Sequence, residues 1–117
     1  MTTPSILDIA ELAYRFRGER FSQYSLADYA HTINKAAENN HLVFACTEGV
    51  LVGFVYWTSN RITKTLHIEN TVCLERWVIK SFLEQFKQRY PDYTLTAERN
   101  GKPVIYDTTN LLNKFNV

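Results

Sequence analysis

The stretch from Thr65 to Glu98 constrains the fold most. Thr65–Cys73 is rich in strand formers, and residues 93–98 read as a second strand. Between them, residues 74–90 place Leu74, Val78, Phe82 and Phe86 on one helical line, with Ile79 and Leu83 beside it, before Pro91 stops the helix. Strand, long helix and strand at this spacing predict a right-handed crossover between parallel neighbours. In such a unit ligands gather where the first strand gives way to the helix, because backbone N–H groups point outward there. Leu66 and Ile68 alternate with His67 and Glu69, so one face of the first strand is expected to be apolar and the other able to carry chemistry.

The segments before this unit read as two helices and a hairpin. Ser5, with Asp8 three residues on, predicts a capped helix over residues 5–17 with Ile6, Ile9, Ala13 and Phe16 as its apolar stripe, ended by Gly18. Ser25 with Asp28 predicts a second helix, buried through Tyr29, Ile33 and Ala36/Ala37. Residues 41–46 and 50–58 read as strands joined at Glu48-Gly49, apolar at nearly every position and so expected to be covered on both faces. Gly53 in the return strand implies a bulge or a close backbone approach. After the central unit come a turn over residues 99–103, a short extended piece at 104–106, and a last helix capped by Asp107 or Thr108 that carries Leu111, Leu112 and Phe115.

At 117 residues the chain fits one α/β domain over residues 1–117, a mixed sheet in which an antiparallel meander precedes a parallel pair. No apolar run approaches the ~18 residues of a membrane span, and the first residues lack a signal-peptide profile, so a cytoplasmic setting is expected. Cys46 and Cys73 are expected to be buried free thiols, and His31, His41 and His67 lack metal-ligand spacing. Net charge is +1, which gives no global case for nucleic acid. Residues 1–60 carry four basic and six acidic groups and the rest nine and six, a bias that favours an anionic ligand near the second half. Lys87, Arg89, Arg99 and Lys102 form a weaker candidate for nucleic-acid contact.

The element order, with Ile6-Leu-Asp-Ile-Ala-Glu-Leu-Ala13, Glu48-Gly-Val-Leu-Val-Gly-Phe-Val55 and Leu66-His-Ile-Glu-Asn70 before a long helix, resembles the GCN5-related N-acetyltransferase (GNAT) superfamily. Leu66 to Asn70, Phe86-Lys-Gln-Arg-Tyr-Pro91, Arg99-Asn-Gly-Lys102 and Tyr106 look like its small phage-encoded members. The resemblance implies a GNAT-like (acyl-CoA N-acyltransferase) fold shortened at its C-terminus, with acetyl-CoA lying across a splay between two parallel strands. The family's glycine-rich pyrophosphate loop falls where this chain has Thr71-Val-Cys-Leu-Glu-Arg76, and no glycine lies between Gly53 and Gly101.

The resemblance also names residues. Glu69 is the candidate base and Tyr106 the candidate acid for the leaving thiolate. Val72, Cys73, Leu74, Arg76 and Lys80 would hold acetyl-CoA, with Arg76 and Lys80 meeting phosphates. His67 is a helper to Glu69. Plainer roles stand beside these: a solvated carboxylate, a packing tyrosine, surface cations and a hydrogen-bonded strand histidine. Two readings therefore stay open, acetyl transfer to an amine and a non-catalytic role as a virion component or host-protein-binding module, with self-association or a protein partner open in either. A phage-encoded member would act in the host cytoplasm or the virion.

Overall fold

The computed structural model describes residues 3–18, 21–99 and 101–114. Asn100, in the expected turn, and Phe115, expected on the last helix, lie outside them. The elements run α1 (Ile6–Arg15), α2 (Leu26–Glu38), β1 (Leu42–Thr47), β2 (Val50–Asn60), β3 (Thr65–Cys73), α3 (Arg76–Arg89), β4 (Thr94–Arg99), β5 (Lys102–Tyr106) and α4 (Thr108–Asn113). They build one five-stranded sheet in the order β1-β2-β3-β4-β5, antiparallel except for the parallel β3–β4 pair.

Both expected helix starts are complete capping boxes. The hydroxyl of Ser5 accepts from the Asp8 N–H, and that of Ser25 from the Asp28 N–H; each aspartate in turn accepts from its serine's N–H. The Ser25 bonds hold the Asp28 carboxyl below its usual range. The β1–β2 turn has positive φ at Glu48 and Gly49, the geometry whose twist matches a hairpin.

Helices α1 and α2 cover one face of the sheet. Ile9, Ala13, Tyr29 and Ile33 pack there on Phe54 and Tyr56 of β2. Helices α3 and α4 cover the other, where Val78, Phe82, Phe86 and Leu112 meet Val55, Trp57, Leu66 and Leu95. Gly53 explains how closely α3 sits. A Cβ there would lie 2.6 Å from Val78 Cγ1 and 2.8 Å from the Val72 carbonyl oxygen. The β1–β2 register also shifts beside it, so the glycine serves both a bulge and a close approach.

Several expectations need correction. Of the two hairpin strands only β2 is covered on both faces; β1 is an edge strand, and its Phe44 is exposed. Leu74 precedes α3 and is exposed, so it does not extend the apolar line of that helix. Phe16 caps α1 and is exposed, while Ala10 and Leu12 complete the buried stripe. A surface ion pair on α3 joins Lys80 and Glu84 at 4.0 Å, one helical turn apart. Among the described residues no helix is long and apolar enough to cross a membrane.

Candidate functional site

The site originates in an irregularity of β3. Tyr56 of β2 pairs with Asn70 while the next residue, Trp57, pairs with Ile68. Glu69 is therefore an extra residue, a β-bulge, and a bulge bends its strand and sharpens the twist. The parallel partner is lost at the same point. β3 and β4 are in register only at Thr65↔Thr94, Leu66↔Leu95 and His67↔Thr96. His67 Nδ1 lies 2.9 Å from Thr96 Oγ1, closing the paired end. Beyond it the two strands part.

The bulge also overturns the expected alternation. Leu66 and Ile68 pack toward α3, but Val72 packs in the opposite core beneath α1 and α2, and Cys73 returns to the α3 side. Even-numbered positions thus change face across Glu69.

A cavity of about 620 Å³ occupies the parting. Its floor is apolar, with Phe82, Leu83 and Phe86 of α3 facing Val55, Ile68 and Leu95 of the sheet. Polar groups line the end where β3 hands over to α3: Asn70, Thr71, Cys73, Arg76, Glu98 and Arg99. Glu69 and Tyr106 also line it, as does Phe21 from the α1–α2 loop, so the space reaches through the sheet toward both helical layers.

Hydrogen bonds fix several of these groups. Thr58 Oγ1 donates to Glu69 Oε1 at 3.2 Å, leaving the exposed carboxylate further acceptor capacity. Asn70 hydrogen-bonds the buried Tyr56 hydroxyl; burial pushes the Tyr56 pKa up and this bond opposes the shift. Thr71 Oγ1 donates to the Phe54 carbonyl at 2.8 Å and lies 3.5 Å from Cys73 Sγ. Burial raises the Cys73 pKa despite that contact, so the group stays a thiol at neutral pH and is a poor nucleophile. An Arg76 guanidinium nitrogen donates to the Lys114 carbonyl at 3.4 Å, tying α3 to the end of α4. The Arg99 guanidinium sits 5.7 Å from the Tyr106 ring centre.

Glu75, the N-cap of α3, makes no capping bond with its side chain. Its carboxylate accepts instead from Thr47 Oγ1 at 3.2 Å and from the Trp77 indole N–H. Thr47 is on the β1 side of the sheet, so this negative charge is drawn away from the β3–β4 opening.

Of the residues singled out from sequence, Glu69, Tyr106, Cys73 and Arg76 meet at the cavity. Val72 lies in the other core, Leu74 is exposed ahead of α3, and Lys80 pairs with Glu84; none of the three lines the space. Sequence reasoning missed Phe21, Glu98 and Lys114 as lining residues and placed Arg99 in a different cluster. The available signal was position: Glu98 and Arg99 end the strand parallel to β3, where open α/β sheets collect ligands. The four basic residues weighed for nucleic acid are divided, Lys87 and Arg89 near the end of α3, Arg99 and Lys102 at the far end of β4. A second cavity, about 420 Å³, lies between the end of α3 and the start of α4 and shares Tyr106 as a wall. Among the described residues no group of three or more His, Cys, Asp or Glu side chains is placed to hold a metal ion.

These features define a small α/β domain with a five-stranded mixed sheet, four helices and a cleft between parting parallel strands. In comparisons with known proteins, no family model, no curated protein and no solved structure matches the chain.

Proposed function

We propose that the protein is a divergent GNAT-type acyltransferase that moves an acetyl group from acetyl-CoA to an amine. The observation that carries this reading is the parting of β3 from β4 after His67, with Glu69 and Tyr106 on the cavity it opens. The residues present suit the carrier in two respects. The cavity reaches both helical layers, so donor and acceptor can approach from opposite sides of the sheet. The Glu75 carboxylate, which would repel a pyrophosphate at the start of α3, is held by Thr47 and Trp77. Arg76 and Arg99 supply cations in place of the glycine-rich loop.

When bound, the carrier supplies a thioester whose carbonyl carbon forms the new C–N bond as its C–S bond breaks. Glu69 accepts the proton that the attacking ammonium must lose, and Thr58 orients the carboxylate. The Tyr106 hydroxyl gives a proton to the departing sulfur. Calorimetry with acetyl-CoA tests the reading. Micromolar binding is expected, with Glu69→Gln lowering kcat by about 100-fold or more while leaving affinity nearly unchanged. No heat at millimolar acetyl-CoA would overturn it.

A second reading, a non-catalytic binding module, is favoured by one observation. Leu74 and Trp77 are 45% and 46% exposed at the start of α3, where the family would place its phosphate loop. Such aromatic and aliphatic exposure suits a protein interface. It predicts silence with acetyl-CoA together with self-association or a stable complex in light scattering.

A further inference from the structure

We infer that the cavity takes an acyl chain longer than acetyl, its tail laid against α3 and its polar end near Arg76 and Arg99. This rests on the acyl-carrier reading for the polar end and on the cavity alone for the tail. Acetyl brings a single methyl group, yet apolar side chains of α3 and of the sheet dominate the lining. The lining side chains of α3 run from Arg76 to Phe86, ten residues or about 15 Å of helix. The volume of about 620 Å³ is that of a small-molecule site.

The distribution of polarity sets the orientation. β3 runs toward the start of α3 and β4 runs parallel to it, so Cys73, Arg76, Glu98 and Arg99 share one end. α4 runs back from Tyr106 to the same end, where the Arg76 bond to the Lys114 carbonyl fixes it. The opposite end holds Phe86 and Leu95, both buried, with Ile68 beside them. These three side chains offer a ligand no hydrogen bond; the Tyr106 hydroxyl, brought beside them by the Leu95↔Tyr106 pairing, is the nearby polar group, and away from it a polar group would lose its water without replacement. An alkyl chain meets no such cost and gains by leaving water.

The experiment is a calorimetric series on the full chain with CoA, acetyl-, butyryl-, hexanoyl- and octanoyl-CoA, and free octanoate. Each added methylene is expected to tighten binding by up to about four-fold, making octanoyl-CoA about 100-fold tighter than acetyl-CoA or better. Ala97→Phe, which narrows the β4 wall, is expected to remove at least about ten-fold of that gain; undiminished octanoyl-CoA affinity would overturn the placement of the tail. Acetyl-CoA binding as tightly as octanoyl-CoA would overturn the long-chain inference and leave the carrier reading standing. Octanoate binding as tightly as octanoyl-CoA would support the chain site while overturning the carrier. Silence from every ligand would overturn both.

Discussion

The two faces of the sheet use similar side chains to opposite ends. Beneath α1 and α2, Phe54, Ile9, Ala13 and Ile33 are buried to 1% exposure or less, and the layer is closed except where Phe21 of the α1–α2 loop meets the cavity. Beneath α3 and α4, Phe82, Leu83, Phe86 and Leu95 retain 3–6% and border open space. Apolar composition alone does not separate the two layers. What separates them is the sheet: a bulge at Glu69 bends β3 away from β4, and α3 spans the resulting gap without filling it. Packing is thus complete where strand pairing is complete and incomplete where pairing stops.

The difference can be broken by paired substitutions. Phe54→Ala should cost about 4 kcal/mol, since nothing around it can collapse into the void, whereas Phe82→Ala should cost about 3 kcal/mol because one side of that ring already lacks neighbours. Urea unfolding of both variants checks this, and equal losses would mean the two layers are equally packed. Next comes Gly53→Ala, expected to cost about 2 kcal/mol as the new methyl forces Val78 and the start of α3 outward. Its melting temperature and its acyl-CoA affinity should both fall, because α3 forms one wall of the cavity.

A smaller effect is expected within the closed layer. Tyr29 is 2% exposed, and its hydroxyl has no hydrogen-bond partner among the described residues. Tyr29→Phe should therefore stabilise the protein by about 1 kcal/mol, read as a rise in the urea midpoint. The smallest concerns the edge beside β1. His41 stacks on Trp57 at 5.6 Å; burial and then the Arg89 charge lower its pKa from the ordinary 6.5. The unfolded chain then binds this proton more readily than the folded one. Stability from the neutral ring is full above pH 6.5 and lost as pH falls below it toward the depressed folded value. His41→Gln should flatten the dependence of the urea midpoint between pH 7.5 and 5.5; an unchanged slope would remove His41 as its source.

Local chemistry made most of the fold legible. Ser5 and Ser25 with their aspartates, Gly49 in its turn and Pro91 after α3 each mark a boundary through short-range bonding or backbone freedom. The cleft was legible only as a place, the end of the first parallel strand. Its shape was not, because Leu66, Ile68 and Val72 keep even spacing across the bulge and give no sign that the face changes. Glu69 and Tyr106 could be singled out through the family resemblance, which puts a carboxylate on the first parallel strand and a tyrosine after the second. Lys114 and Phe21 reach the cavity only through tertiary folding, which periodicity does not encode.

The most direct test of a ligand cleft between the parting strands is amide chemical-shift mapping of the labelled protein during titration with octanoyl-CoA. Shifts should concentrate at Ile68, Glu69, Cys73, Ala97 and Tyr106, while Ile9 and Ile33 in the closed layer stay in place. Saturable shifts confined to the α1–α2 layer, or none along β3 and β4, would contradict it.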